Sequence, residues 1–407
     1  MSILNQRIDI IAIVLFFLFA IFLEKNEAFS LAEDETLSYR QLLRTYNANE
    51  VVTSPSEDVV IVYTDEAFYE EYDMFPLRRV DLGTLVERLK YMGASVIAVD
   101  MLLDFNSAYG EDPSLTLAFK EAGNVQLVSQ AEFDIQNNFV KVNKAIPAFA
   151  DSTSSGYSNI SSNSAVSAKI VRLRMYPEIN EAVGEWPFAV KAAASYLGTE
   201  NVSITNNILK LGDTLEVKLD RFNDLYIDFP LLPTDGKGGT VRLHEVVGIT
   251  ASDILFVDEE ELEDLAFLVD GKIVLIGEVA EVAHDEFETP VGNVFGVEII
   301  ANTIATILRG GPLKPASLGL EIFLALVMMG GLLATRLLSE PLPRNAISFG
   351  IVFLYCSGVI WAYVSMGLVI SMIYVLLASF TAIAVINIKY YLTEMGQKTL
   401  IKDAFGQ

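Results

Sequence analysis

Carboxylates placed just after apolar runs are the residues of this chain best suited to do chemistry. Asp65 follows residues 58–64 (DVVIVYT) directly, and Asp100 lies late in residues 95–103 (SVIAVDMLL). The loop after residues 271–277 (GKIVLIG) carries His284, Asp285, Glu286 and Glu288. In open α/β sheets, ligands collect at the carboxyl ends of the strands. If the three runs are neighbouring strands, these groups converge on one edge, and Arg78 and Arg79 could reach it from the segment that enters the next helix. Acids with an arginine in such a place suit a small polar ligand or a divalent cation. The plainer alternative is that Asp65 and Asp100 cap loops and pair with Arg78. Asp65, Arg78, Asp100, His284 and Asp285 are the ligand-binding candidates.

Other chemistries lack their residues. His244 and His284, the two histidines, have no Cys or second His at metal-ligand spacing. Cys356, the single cysteine, lies in an apolar segment, so no disulfide or Cys cluster is available to the acidic body. No G-x-S-x-G elbow is present. Residues 235–239 (DGKGG) lack the spacing of a phosphate loop and read as a turn. Residues 258–264 (DEEELED) lack the alternating oxygens and central Gly of a calcium loop, and with Leu262, Leu265 and Leu268 they read as a solvated helix start. No catalytic residue, metal site or cofactor is expected.

The elements that must position the candidates follow from patterning. The three runs are continuously apolar, as in strands buried on both faces of a parallel sheet. Residues 80–92 place Leu82, Leu85, Leu89 and Met92 on one helical face, with Asp81 as a cap, completing a βαβ unit. Further helices are expected at residues 114–121, 186–197 and 297–308. Residues 169–175 (KIVRLRM) and 208–219 (ILKLGDTLEVKL) alternate, as half-exposed antiparallel strands of an insert do, with a hairpin at Gly212-Asp213. Residues 151–167, rich in Ser, Asn and Gly, read as a loop.

Apolar segments frame this domain. A bilayer core of about 30 Å needs roughly 20 helical residues. Residues 10–23 form a short first span, residues 318–338 a second, and residues 349–388 two more with a break at Ser365-Met366-Gly367. Pro341 and Pro343 are expected in a turn where helices end. Trp361, Tyr363 and Tyr374 are expected at the opposite interface. The fold class is thus an α/β extracytoplasmic domain with a mainly parallel core sheet and an antiparallel insert, plus a helical membrane part of four spans. The expected boundaries are an anchor at 1–23, the outer domain at 24–316, three spans at 317–388 and a tail or connector at 389–407.

Sidedness follows from the basic residues. Arg7, Arg336, Arg344, Lys389, Lys398 and Lys402 all fall inside if both termini are cytoplasmic, with Lys25 and Lys314 on the far side. Ala28-Phe29-Ser30 leaves signal-peptide cleavage as an alternative for the first span. The chain carries 53 Asp and Glu against 28 Lys and Arg, and residues 24–316 hold 48 of the acids and 22 of the bases. Such a body repels nucleic acid and anionic lipid surfaces, so no nucleic-acid partner is expected.

Five segments together resemble the second type of CHASE domain, an extracytoplasmic sensory module of cyclases and histidine kinases: VVIVYTDEAF (59–68), FPLRRVDLGTLVERL (75–89), GASVIAVDMLLDF (93–105), GKIVLIGEVAEVAHDEFETPVG (271–292) and GVEIIANTIATIL (296–308). The three apolar segments that follow are similar to that family too. Two departures stand out: Ile300 replaces a polar residue common in the family, and Met74-Phe75 and Leu77 replace its tryptophans. The ending IKDAFGQ is similar to the connector before a cyclase domain, which implies a stand-alone sensor or a part of a larger product. The resemblance implies a non-enzymatic plasma-membrane sensor with a small-molecule or protein signal outside. Its other partners would be membrane lipid and a second copy or a cytoplasmic effector. A docking subunit of an envelope complex is the alternative from another class.

Overall fold

The structure, a computed structural model, describes residues 3–47, 55–136, 138–158, 169–233 and 241–405. The expected turn at 235–239 and most of the expected loop at 151–167 lie outside them. The chain divides into two compact units, residues 45–314 and residues 1–44 with 315–407. Helices α1 (Ile3–Lys25) and α2 (Ser30–Asn47) come first in the sequence.

The larger unit is built on a seven-stranded sheet. Its strands are β1 (Val59–Thr64), β2 (Val96–Val99), β3 (Val125–Phe133), β4 (Phe139–Asn143), β5 (Ser154–Tyr157), β6 (Gly248–Thr250) and β7 (Ile273–Glu278). The order is β6-β1-β7-β2-β3-β4, with β5 also on β3, and only the β3–β4 pairing is antiparallel. Side chains alternate across it. Val59, Ile61, Val96, Ala98, Ile273 and Leu275 enter one apolar core, and Val60, Val62, Ile97, Val99, Val274 and Ile276 enter the other. That two-sided burial is why these runs lack alternation in the sequence.

Helices cover both faces. On one side lie α4 (Arg79–Tyr91), preceded by the short α3 (Glu66–Tyr72), and α5 (Asp112–Ala122), with Leu82, Leu85, Leu89, Leu115 and Phe119 inward. The other side holds α6 (Phe188–Tyr196), the one-turn α7 (Leu243–Val247) and α9 (Gly296–Leu308); α8 (Glu259–Leu265) lies between the last two in sequence. Asp258 caps α8, accepting from the N–H of Glu260 and Glu261, as a solvated helix start should. Asp81 does not cap α4: the helix begins two residues earlier, and the Asp81 carboxylate accepts the Tyr72 hydroxyl. Residues 154–157 are a strand, not loop. Gly156 permits it, since a Cβ there would lie 2.8 Å from the Phe188 Cα.

The insert is antiparallel, as the alternation predicts. Residues 208–211 and 215–218 form the hairpin, and Arg172–Arg174 pairs with Asp224–Tyr226. Buried Asp224 accepts from Arg172 (2.8 Å) and Arg174 (2.7 Å).

The smaller unit is helical. α10 (Leu318–Thr335), α11 (Pro341–Met366) and α12 (Ile373–Phe405) are each long and apolar enough to cross a membrane, α12 over Ile373–Met395. Ile13, Phe17 and Ala20 of α1 share their buried core. Gly367, at φ 65°, ends α11 at the expected break. Pro341 does not sit in a turn but opens α11, where a missing N–H costs nothing. Tyr363 and Tyr374 are buried within the helical unit, whereas Trp361 is exposed. Tyr363 donates to Gln41 Oε1 (2.7 Å), and the Tyr374 hydroxyl accepts from the Phe29 N–H (3.1 Å).

One buried ionic group locks α7 to α9. Glu298 is fully buried; it accepts from the backbone N–H of His244 (3.1 Å) and Phe295 (2.8 Å) and pairs with His244 Nδ1 (3.0 Å). Burial alone would raise its carboxyl, but these partners hold it below the ordinary 4.5. A lowered native pKa stabilises the fold above the unfolded value, and that stability is lost as pH falls through the native one. Glu298→Ala should cost about 3–5 kcal/mol at pH 7, as loss of one partner of a buried pair does. In thermal unfolding of the detergent-solubilised chain the deficit should shrink as pH drops below 4.5. Equal Tm values for variant and wild type at pH 7 would refute the lock.

Candidate ligand-binding site

Register brings the strand ends together. β1 pairs with β7 from Val59↔Ile273 to Thr64↔Glu278, and β7 pairs with β2 up to Ile276↔Val99. The Asp100 N–H then donates to the Ile276 carbonyl (2.8 Å), so Asp100 and Glu278 emerge side by side. Asp285 joins them from the loop after β7. All three line one cavity of about 670 Å³, within the range of organic-ligand pockets.

The walls come from α3, the entry to α4, and the segment after β2. Tyr69, Phe75, Leu77, Leu103, Phe105 and Tyr109 supply apolar and aromatic surface. Phe75, Phe105 and Tyr109 are half or more exposed, so their rings are available at the mouth. Both arginines are engaged. Arg78 Nε donates to Glu111 Oε1 (2.7 Å), and its guanidinium lies over the Tyr109 ring. Arg79 is buried, pairs with Asp112, donates to the Phe105 carbonyl (2.5 Å) and lies against the Phe105 and Phe149 rings.

The three inner carboxylates have no such neutralisation. Burial pushes the Asp100 carboxyl up to about 7, with the charge of Asp285 adding to it. Burial also raises Glu278, against the Tyr69 hydroxyl, and the charges of Asp285 and Glu66 raise it further. Asp285 is raised by burial, partly offset by the Gly296 N–H. Glu278 Oε1 is buried without a hydrogen-bond partner. Tyr69 is pushed up to about 12, mainly by burial, so its hydroxyl keeps its proton.

Of the five sequence candidates, the cavity gathers Arg78, Asp100 and Asp285. Asp65 instead caps α3, accepting from the Phe68 N–H (2.8 Å), and His284 is exposed in a left-handed turn. Neither lines the cavity. Arg78 pairs with Glu111, not with Asp65 or Asp100. Sequence reasoning missed Glu278, although it is the residue directly after GKIVLIG, and it missed Glu111 and the aromatic mouth.

Residues 11–334 match the model of the CHASE2 domain. The chain belongs to the CHASE2 family. No curated protein and no solved structure matches it. CHASE2 is a sensory domain rather than a catalytic one, and with three apolar helices it makes this chain a membrane sensory module. Of the two departures from the family pattern, Ile300 is buried in the core away from the cavity, whereas Met74, Phe75 and Leu77 line it.

The raised carboxyl of Asp100 has a measurable signature. A native pKa of about 7 against an ordinary 3.8 means stability is full below pH 3.8 and is lost as pH rises towards 7. Asp100→Asn should therefore stabilise the empty protein by roughly 2 kcal/mol or more above pH 7 and leave it unchanged near pH 4. A Tm difference that does not depend on pH would contradict the assignment.

Proposed function

We propose that the chain is a multi-pass plasma-membrane sensor whose outer domain binds a small-molecule signal in the strand-end cavity and relays it through α2 to the last span. Both termini face the cytoplasm, α1 is a fourth span, and the output passes to a second copy or a separate effector.

One observation carries the relay: α2 clamps the turn between α11 and α12. Glu33 accepts from the N–H of Met372 (2.9 Å) and Ile373 (2.8 Å), capping α12. Buried Arg40 donates to Glu33 (2.6 Å) and to the Ile370 carbonyl (2.8 Å). Arg44 donates to the Val364 carbonyl (3.1 Å). Along the chain, α2 leads through residues 48–58 into β1, which pairs with β7, the strand that carries Glu278. A signal that favours one arrangement of the strand ends over another would bias the clamp.

The opposite end of the helices supports the fourth span. Asp9 of α1 pairs with Arg336 (2.6 Å) and Lys389 (2.6 Å), the residues that follow α10 and lie midway along α12. An ionic group at that depth is tolerable because it is paired. Its position beside the C-terminal end of α10 makes α1 antiparallel to that helix, in keeping with a shared inner side.

Two measurements test the proposal. Protease added to intact spheroplasts should cut within residues 45–314 and spare an epitope on the C-terminus; the reverse pattern defeats the sidedness. Hydrogen exchange on the full chain in nanodiscs should detect the relay without a ligand. Ala108→Trp, which occludes the cavity mouth, should change exchange at Met372 and Ile373, and Glu33→Gln should speed it about tenfold, the effect of ~1.4 kcal/mol of lost capping. An occluded cavity with unaltered exchange at those two amides would eliminate the relay.

A further inference from the structure

Resting on the reading of the cavity as the sensing site, we propose that its ligand is an organic ammonium ion with an apolar body. Charge comes first. Four acids line the cavity, Asp100, Glu111, Glu278 and Asp285, against two arginines. Glu111 holds Arg78, and Arg79 is spent on Asp112. Asp100, Glu278 and Asp285 are left with no basic partner among the described residues. Glu278 has a carboxylate oxygen sealed from water with no donor to meet it. Carboxyl groups without a basic partner at the centre of a buried edge favour a cation, which stabilises their ionised forms, and donors on that cation would satisfy the orphaned oxygen.

Size and wall chemistry narrow the cation. At about 670 Å³ the space is that of an organic molecule, not of a bare ion. Among the described residues the three carboxylates do not form a set with ligand atoms within 4.8 Å of one another, as a shared metal ion would need. The Phe75, Phe105 and Tyr109 rings expose their surface at the mouth. Phe105 and Tyr109 already receive guanidinium groups, at 5.2 and 5.7 Å. Aromatic faces beside carboxylates are the usual surroundings of bound ammonium groups. Arg78, neutralised by Glu111 at the rim, repels the cation less than a free arginine would.

Protonation gives the proposal a second readout. The titratable and charged groups that line the cavity with Asp100 are Glu278 from β7, Asp285 from the following loop, Tyr69 from α3, Arg78 and Arg79 from the entry to α4, and Tyr109 and Glu111 from the segment before α5. An arriving ammonium favours the ionised carboxylate, so a site that holds its proton near pH 7 must release it on binding. Affinity then rises with pH through about 7.

The test uses the full chain in detergent with three isosteric probes at millimolar concentration: 2-phenylethylammonium, 3-phenylpropionate and 2-phenylethanol. The ammonium alone should raise Tm. Asp100→Asn and Glu278→Gln should each weaken its calorimetric affinity by about tenfold or more, as loss of a charge-assisted hydrogen bond does. Glu288→Gln, outside the cavity, should not. Binding heats at pH 7 should vary with the ionisation heat of the buffer, in the direction of proton release. If the anion or the alcohol stabilises as well as the ammonium, the charge assignment is wrong while the cavity remains a ligand site. If no probe shifts Tm, the ammonium proposal falls. The exchange measurement on Ala108→Trp, which needs no ligand, then decides the sensing reading by itself.

Discussion

Three parallel strands that end within two residues of one another oblige whatever follows them to share a space. β1 and β7 end together at Thr64↔Glu278, and β2 ends two residues earlier at Val99↔Ile276. Through most of their length these three strands carry apolar side chains that enter two buried cores. The first charged residues at their ends therefore have two outlets. One is to satisfy a helix that starts at once, as Asp65 does for α3. The other is to face whatever gap the connecting segments leave, as Asp100 and Glu278 do. The cavity is thus a consequence of register together with long connections, and Asp100 and Glu278 reach it from the ends of paired strands.

Like charges held in a partly dry place work against the fold. Burial raises all three carboxyls, and Asp285 raises both of its neighbours. A site selected for stability alone would place a basic residue among them. Two arginines are near enough, yet each is turned to a different acid, Arg78 to Glu111 and Arg79 to Asp112. The α5 start that supplies Asp112 thereby fixes the far wall and keeps the guanidinium groups out of the centre. Acids left without a base at one edge of an otherwise well-packed sheet are what the proposed binding of a cation would relieve.

Much of this was legible from residues alone, for reasons that differ between elements. Runs such as VVIVYT and KIVLIG report two-sided burial because a parallel strand between helices has no polar face, and all three runs became strands. The α4 face of Leu82, Leu85 and Leu89 was readable because its period is long enough to count. Asp100 and Asp285 were found from topology, a rule about strand ends that needs no contacts. Glu278 escaped because β7 runs one residue past its last glycine, and the end of a strand is set by pairing, not composition. Asp65 was a candidate by the same rule that found Asp100; only the immediate start of α3 sends it to a cap. The arginine partners were unreadable, since Glu111 and Asp112 lie some thirty residues from Arg78 and Arg79 and nothing local ties them. Residues 154–157 looked like loop because their strand is short and Gly156 is there for close approach to α6, a fact about a neighbour.

The helical unit obeys the same accounting of polar groups under stricter terms. In hydrocarbon an unpaired charge or an open helix end costs far more than in water, and several charged residues of this unit have partners, although the buried Ser379 hydroxyl has none. Asp9 has two cations, and Glu321 accepts from the Ser371 hydroxyl (3.1 Å). Glu33 is assigned three ways, to two amides at the start of α12 and to Arg40, and Arg40 continues to the Ile370 carbonyl. A group so heavily subscribed makes its helix start rigid, but only while α2 stays in place, because Glu33 and Arg40 lie seven residues apart on that one helix. The α12 cap is therefore conditional on a segment that does not belong to the span it stabilises. The hydrogen bonds to Met372, Ile373 and Ile370 all run to that one helix. The demand that charges be paired thus ties α2 to the start of α12 through one carboxylate and one guanidinium.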